Sequence, residues 1–69
     1  MERRPVSSSN VAAIGYDPGS QTLEVEFRHG GVYQYFDVPQ IEYDELMRAT
    51  SVGTYLHQNI KLRYRYAKV

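Results

Sequence analysis

Residues Thr22 to Pro39, TLEVEFRHGGVYQYFDVP, leave this chain few ways to fold. Leu23, Val25 and Phe27 alternate with Glu24, Glu26 and Arg28, the period-two pattern of a strand with one buried face. His29-Gly30-Gly31 supplies the reversal, because glycine tolerates the positive φ that hairpin turns require. Val32 to Phe36 is rich in β-branched and aromatic residues, as a partner strand should be, and Val38-Pro39 ends it abruptly. The hairpin therefore carries a tyrosine pair, Tyr33 and Tyr35, at its centre.

Two loop lengths are open for this hairpin, and they place the tyrosines differently. If His29-Gly30 alone form the loop, Tyr33 and Tyr35 lie opposite Glu26 and Glu24 on the polar face, free to stack on a ligand. If three residues form it, the parity flips and the tyrosines join Phe27 and Val25 in the core. The core-side placement is favoured, because two aromatic rings rarely stay exposed in a small domain.

The preceding segment reads as the first arm of a meander. Val11 to Tyr16 is a short strand, and Asp17-Pro18-Gly19-Ser20 has the residues of a turn. A four-residue loop there pairs Tyr16 with Gln21, Ile14 with Leu23 and Ala12 with Val25. That register puts Ala12, Ile14, Tyr16, Leu23, Val25 and Phe27 on one apolar face. Residues 1–9 are polar and read as a flexible arm, which leaves residues 10–69 as a single domain.

After Pro39 the period changes. Tyr43, Leu46 and Met47 are spaced as one stripe of a helix, with Glu42, Asp44 and Glu45 near its N-terminus and Arg48 near its end. Ser51 is a suitable N-cap for a second short helix that turns Val52, Tyr55, Leu56 and Ile60 inward. From Leu62 the period returns to two, with Leu62, Tyr64 and Tyr66 alternating with Arg63, Arg65 and Ala67. The expected fold is α+β: a three-stranded antiparallel meander, two short helices and a C-terminal strand.

Size and composition narrow the function. A chain of 69 residues is one domain and buries only about 60% of the surface its unfolded form exposes. Its net stability, without staples, is roughly 3–5 kcal/mol. There is no cysteine, which excludes disulfides and thiolate metal sites and fits a reducing compartment. No apolar run is long enough for a membrane span, and MERRPVSSSN has no apolar signal-peptide core. A cytoplasmic location is expected.

The net charge is zero but unevenly spread. Residues 1–56 hold four arginines against eight acids, whereas residues 57–69 hold Lys61, Arg63, Arg65 and Lys68 against none. Such a chain can present a basic face without a basic overall charge. Attraction of this tail to acidic faces within the fold explains the same pattern equally well.

In their order, these residues resemble the KTSC domain, found at the C-terminus of some lysyl-tRNA synthetases and as a stand-alone bacterial protein. The matching pieces begin with Ser8-Ser9-Asn10, Ile14-Gly15-Tyr16, Leu23-x-Val25-x-Phe27 and Gly30. They continue with Tyr33-x-Tyr35, Val38-Pro39, Ala49-x-Ser51-x-Gly53-x-Tyr55, Ile60-Lys61 and Tyr64-x-Tyr66. The central Tyr-x-Tyr is the family's usual marker, and the likeness covers nearly the whole chain. The resemblance implies RNA binding through the synthetase connection, and it brings no catalytic residues.

The residues themselves offer little for catalysis. Ser7, Ser8 and Ser9 with His29 or His57 show neither a nucleophile-bearing turn nor an orienting acid. Glu24 and Glu26 read as ordinary alternation on a solvated strand face, and two unclustered histidines do not make a metal site. No cofactor and no small-molecule substrate is expected. Binding remains, and the candidate residues are Lys61, Arg63, Arg65 and Lys68 for phosphates, with Tyr33 and Tyr35 for stacking. The expected partner is single-stranded or structured RNA. The alternative is a protein that docks on the tyrosine face or adds a strand to the sheet edge.

Overall fold

In the computed structural model, which describes residues 1–69, the alternating segments form one antiparallel sheet whose five strands lie side by side in chain order. They are β1 (Arg3–Pro5), β2 (Val11–Asp17), β3 (Thr22–Phe27), β4 (Val32–Tyr35) and β5 (Tyr66–Lys68). Between β4 and β5 come α1 (Gln40–Arg48), α2 (Val52–Tyr55) and a π-helical turn, Leu56–Ile60, that continues α2. The α+β class agrees with the sequence, but four strands rather than three precede the helices.

The additional strand is β1, so the expected flexible arm does not extend through residues 3–5. Arg3 pairs with Gly15, Arg4 with Ile14 and Pro5 with Ala13. Gly15 permits this approach: a Cβ there would stand 2.6 Å from the carbonyl oxygen of Glu2. Across the same face an Arg3 guanidinium nitrogen lies 2.8 Å from Glu24 Oε2, while Gln34 donates to Glu24 Oε1 at 2.9 Å. Glu24 is consequently buried, not solvated as its alternation suggested. A short edge strand carrying proline and charge also resists pairing with other chains.

The first hairpin keeps the expected face but shifts its register by two residues. Tyr16 pairs with Leu23 and Ile14 with Val25, and the loop is Pro18 to Gln21. The Asp17 carboxylate accepts from the Gly19 amide at 3.1 Å and the Ser20 hydroxyl at 2.9 Å, and Gln21 takes φ 54°. These contacts form the reversal after Asp17 rather than at it. A shift of two preserves parity, so Ile14, Tyr16, Leu23, Val25 and Phe27 still share one face. Ala12 does not join them. The register breaks between Val11 and Ala13, and this bulge places fully buried Val11 opposite Phe27 instead.

In the second hairpin the loop is Arg28-His29-Gly30. The Phe27 amide donates to the Gly31 carbonyl at 3.0 Å and the Gly30 amide to Phe27 at 3.1 Å. Tyr33 lies opposite Val25 and Tyr35 opposite Leu23, the core-side placement. Gly30 has φ 101°, and a Cβ there would strike nothing, so the need for glycine is conformational alone.

The core unites Ile14, Leu23, Val25 and Phe27 with Leu46, Leu56 and Ile60, and adds Val11, Tyr35, Val38 and Val52. Each fully buried aliphatic of this kind contributes about 1.5–3 kcal/mol relative to exposure. Tyr43 and Met47 pack beside Leu46 from α1, whose N-cap is extended Pro39. Ser51 caps α2, its hydroxyl accepting from the Thr54 amide at 3.3 Å.

The C-terminal strand starts at Tyr66, not Leu62. The Lys61 amide bonds the Leu56 carbonyl at 2.9 Å, and the amides of Arg63 and Tyr64 both bond Ile60. These turn bonds engage the segment that alternation assigned to a strand, and Leu62 is left 91% exposed. No helix is long and apolar enough to cross a membrane.

Candidate nucleic-acid interface

The β3–β4 turn, the π-helical turn and β5 converge on one cleft of about 290 Å³. Its lining is Phe27, His29, Tyr33, Tyr35, Lys61, Leu62 and Tyr66, with no carboxylate. Each element has a local cause. The three-residue loop puts His29 parallel to Phe27, ring centres 5.6 Å apart at 11°. Phe27 meets Tyr33 edge-on at 5.6 Å and 83°. Pairing of β5 with β4 sets Tyr66 opposite Tyr35 and Lys68 opposite Tyr33. The π-helical turn ends at Lys61, whose ammonium lies 5.2 Å from the centre of the Phe27 ring.

The six residues expected to bind do not form one surface. Tyr33, Tyr35 and Lys61 line the cleft, and Lys68 lies beside it on β5. Tyr35 is only 3% exposed, so it backs the cleft and cannot stack on a ligand. Its burial pushes the phenol up to about 12. Arg63 instead reaches Glu42 Oε1 at 3.4 Å, and Arg65 reaches Asp37 Oδ2 at 2.9 Å. Attraction of the basic tail to acids in the fold thus accounts for the arginines. Lys61 and Lys68 take part in none of the ion pairs.

Sequence reasoning missed Phe27, His29 and Leu62 as lining residues, and placed Tyr66 only in the alternation that starts at Leu62. Tyr66 was signalled by the repeat of Tyr33-x-Tyr35 in Tyr64-x-Tyr66, once the second pair is laid beside the first in a sheet. It is 58% exposed, and its ring meets Tyr33 at 49° and Tyr35 at 38°, neither a parallel stack. Its faces are accordingly not covered by another ring in parallel.

Glu42 was also missed as a structural residue. It stands four positions before Leu46 on the buried stripe of α1 and is itself buried. Tyr55 and Tyr64 both donate their hydroxyls to it, Tyr64 at 3.0 Å. The bond to Glu42 pushes the Tyr55 phenol up to about 12, and burial followed by Glu42 raises Tyr64. On the same flank Tyr16 donates to the Val38 carbonyl and stacks on Tyr43 at 4.7 Å and 9°. Burial, then the Asp44 charge, raises its phenol. One of the serines weighed as nucleophiles has a structural use: the Ser8 hydroxyl accepts from the amides of Asn10 and Val11.

Comparison with known proteins places these features in a family. The model of the KTSC domain matches residues 7–64. A KTSC domain protein of Yersinia pestis, known from a crystal structure, is similar with a TM-score of 0.96 and 41% identity, over 99% of this chain and 96% of that one. An uncharacterized protein of Stutzerimonas stutzeri is 40% identical over 70 residues, covering 100% of this chain and 99% of its own. A lysine–tRNA ligase of Nostoc sp. is 41% identical over 61 residues, which are 88% of this chain but 11% of the ligase.

Proposed function

The chain belongs to the KTSC domain family, and from that premise we propose that it is a small non-catalytic module binding RNA in the cytoplasm. Tyr33 and Tyr66 offer ring faces to bases, and Lys61 and Lys68 contact phosphates. The observation that carries this reading is the cleft itself: an aromatic lining without a carboxylate, bordered by two lysines that have no acidic partner. Ring faces and ammonium groups are the chemistry of single-stranded nucleic-acid recognition. The presence of a similar segment in a lysine–tRNA ligase, an enzyme that handles RNA, supports the same partner class.

Two cations make a small footprint, and affinity in the roughly 10⁻⁴–10⁻⁶ M range of non-specific binders is expected. A titration of labelled single-stranded RNA at two salt concentrations tests the reading. Binding should weaken steeply with salt. Absence of salt-sensitive binding at low ionic strength rejects it.

One observation favours a protein partner as the second reading. β5 is an edge of the sheet, and Leu62 beside it is almost fully exposed. An added strand there would bind through backbone hydrogen bonds with little salt dependence, so the same titration separates the readings.

A further inference from the structure

We infer that the cleft seats a single unpaired nucleobase, so that the module selects loops, bulges and ends of RNA over continuous duplex. This rests on the RNA-binding reading above and adds what that reading leaves open, the structural class of RNA.

Three observations lead to it. The first is volume: about 290 Å³ lies just below the roughly 300–1,000 Å³ typical of small-molecule sites, room for one ring system rather than a run of stacked bases. The second is ring geometry. His29 and Phe27 already stack in parallel, whereas Tyr66 at the rim is tilted against both its neighbours and exposed. Tyr66 therefore has a face to give, and a base in a duplex, already stacked above and below, has none to offer it. Only a base splayed out of the stack can enter.

The third observation is the layout of charge. Lys61 follows the π-helical turn and Lys68 lies on β5 opposite Tyr33, so one cation comes from each of two elements beside the cleft. The neighbouring arginines each meet an acid, Arg63 at Glu42 and Arg65 at Asp37, which offsets their charge where the lysines' is not offset. Recognition of a duplex by shape needs contacts spread along successive grooves, and two cations at one cleft do not supply them.

The test uses three labelled RNAs of equal length: a single strand, a perfect duplex, and a duplex with one unpaired bulged nucleotide. Fluorescence anisotropy with the full chain should show the single strand and the bulged duplex bound at least about tenfold tighter than the perfect duplex, within the roughly 5–150-fold range of one stacked base. Tyr66→Ala should remove that preference while circular dichroism stays unchanged, and Tyr66→Phe should keep it. Equal affinity for all three RNAs, or a preference that survives Tyr66→Ala, overturns the inference and leaves RNA binding standing. Failure to bind any of them overturns both.

Discussion

Tyrosine is used in opposite ways on two flanks of this molecule. Beside α1, Tyr16 is stacked on Tyr43 and hydrogen-bonded to Val38, and Tyr55 and Tyr64 share the buried Glu42 carboxylate. At the cleft, the Tyr33 and Tyr66 hydroxyls have no hydrogen-bond partner within the protein, and the two rings meet at a tilt. The first group consumes its polar atoms and ring faces in holding helix to sheet. The second does not: Tyr66 is 58% exposed and Tyr33 half-buried. Composition does not distinguish the two flanks; what distinguishes them is the carboxylate that one has and the other lacks.

The largest test of this contrast acts on the residue that belongs to both the cleft and the core. Phe27→Ala should cost about 3–5 kcal/mol, as much as the whole stability of a domain this size, and so unfold it. A thermal melt near wild type would show that the Phe27 side of the sheet is not core.

Next comes the closed flank. Glu42→Ala leaves two tyrosine hydroxyls and a guanidinium without their acceptor, and about 3 kcal/mol of destabilisation is expected by urea unfolding. Tyr66→Ala at the open flank should cost less than about 0.5 kcal/mol, as exposed substitutions do. Equal costs at the two sites would abolish the distinction.

Alkaline pH should probe the same division. The Tyr55 phenol is raised to about 12 by its bond to Glu42, against 10.0 for the ordinary group, and Tyr35 is raised to about 12 by burial. A raised phenol favours the folded state while it keeps its proton. That contribution is complete below pH 10 and is lost as pH rises to about 12. Circular dichroism followed through this window should show loss of structure together with the rise of tyrosinate absorbance. Tyr55→Phe should remove the Tyr55 share and leave the Tyr35 share. A fold insensitive to pH across this window would contradict the assignment.

Legibility from sequence follows the same division. The faces of β2 and β3 were readable because a register error of two leaves parity intact, and the helical stripe around Leu46 was readable from its spacing. Strand β1 was not, because Arg3-Arg4-Pro5 has no alternation and its place depends on a missing Cβ at Gly15, far along the chain. The run from Leu62 to Tyr66 misled for a physical reason. Alternation persists in composition, but the chain is still turning out of the helix until Tyr64, whose hydroxyl goes to Glu42 rather than to a sheet neighbour. The basic tail was legible as charge and not as a site, since which cations meet acids is settled by tertiary contacts.

The central claim is that the two unpaired lysines, and not the two arginines between them, contact RNA. The most direct measurement is the slope of log affinity against log salt for single-stranded RNA, compared among wild type, Lys61→Ala/Lys68→Ala and Arg63→Ala/Arg65→Ala. With about 0.7 of slope per phosphate contact, wild type should give roughly −1.4, and the lysine pair of substitutions should bring it close to zero with binding largely lost. The arginine pair should leave the slope near that of wild type. If the arginine substitutions flatten the slope and the lysine substitutions do not, the cleft is not the RNA contact and the account is wrong.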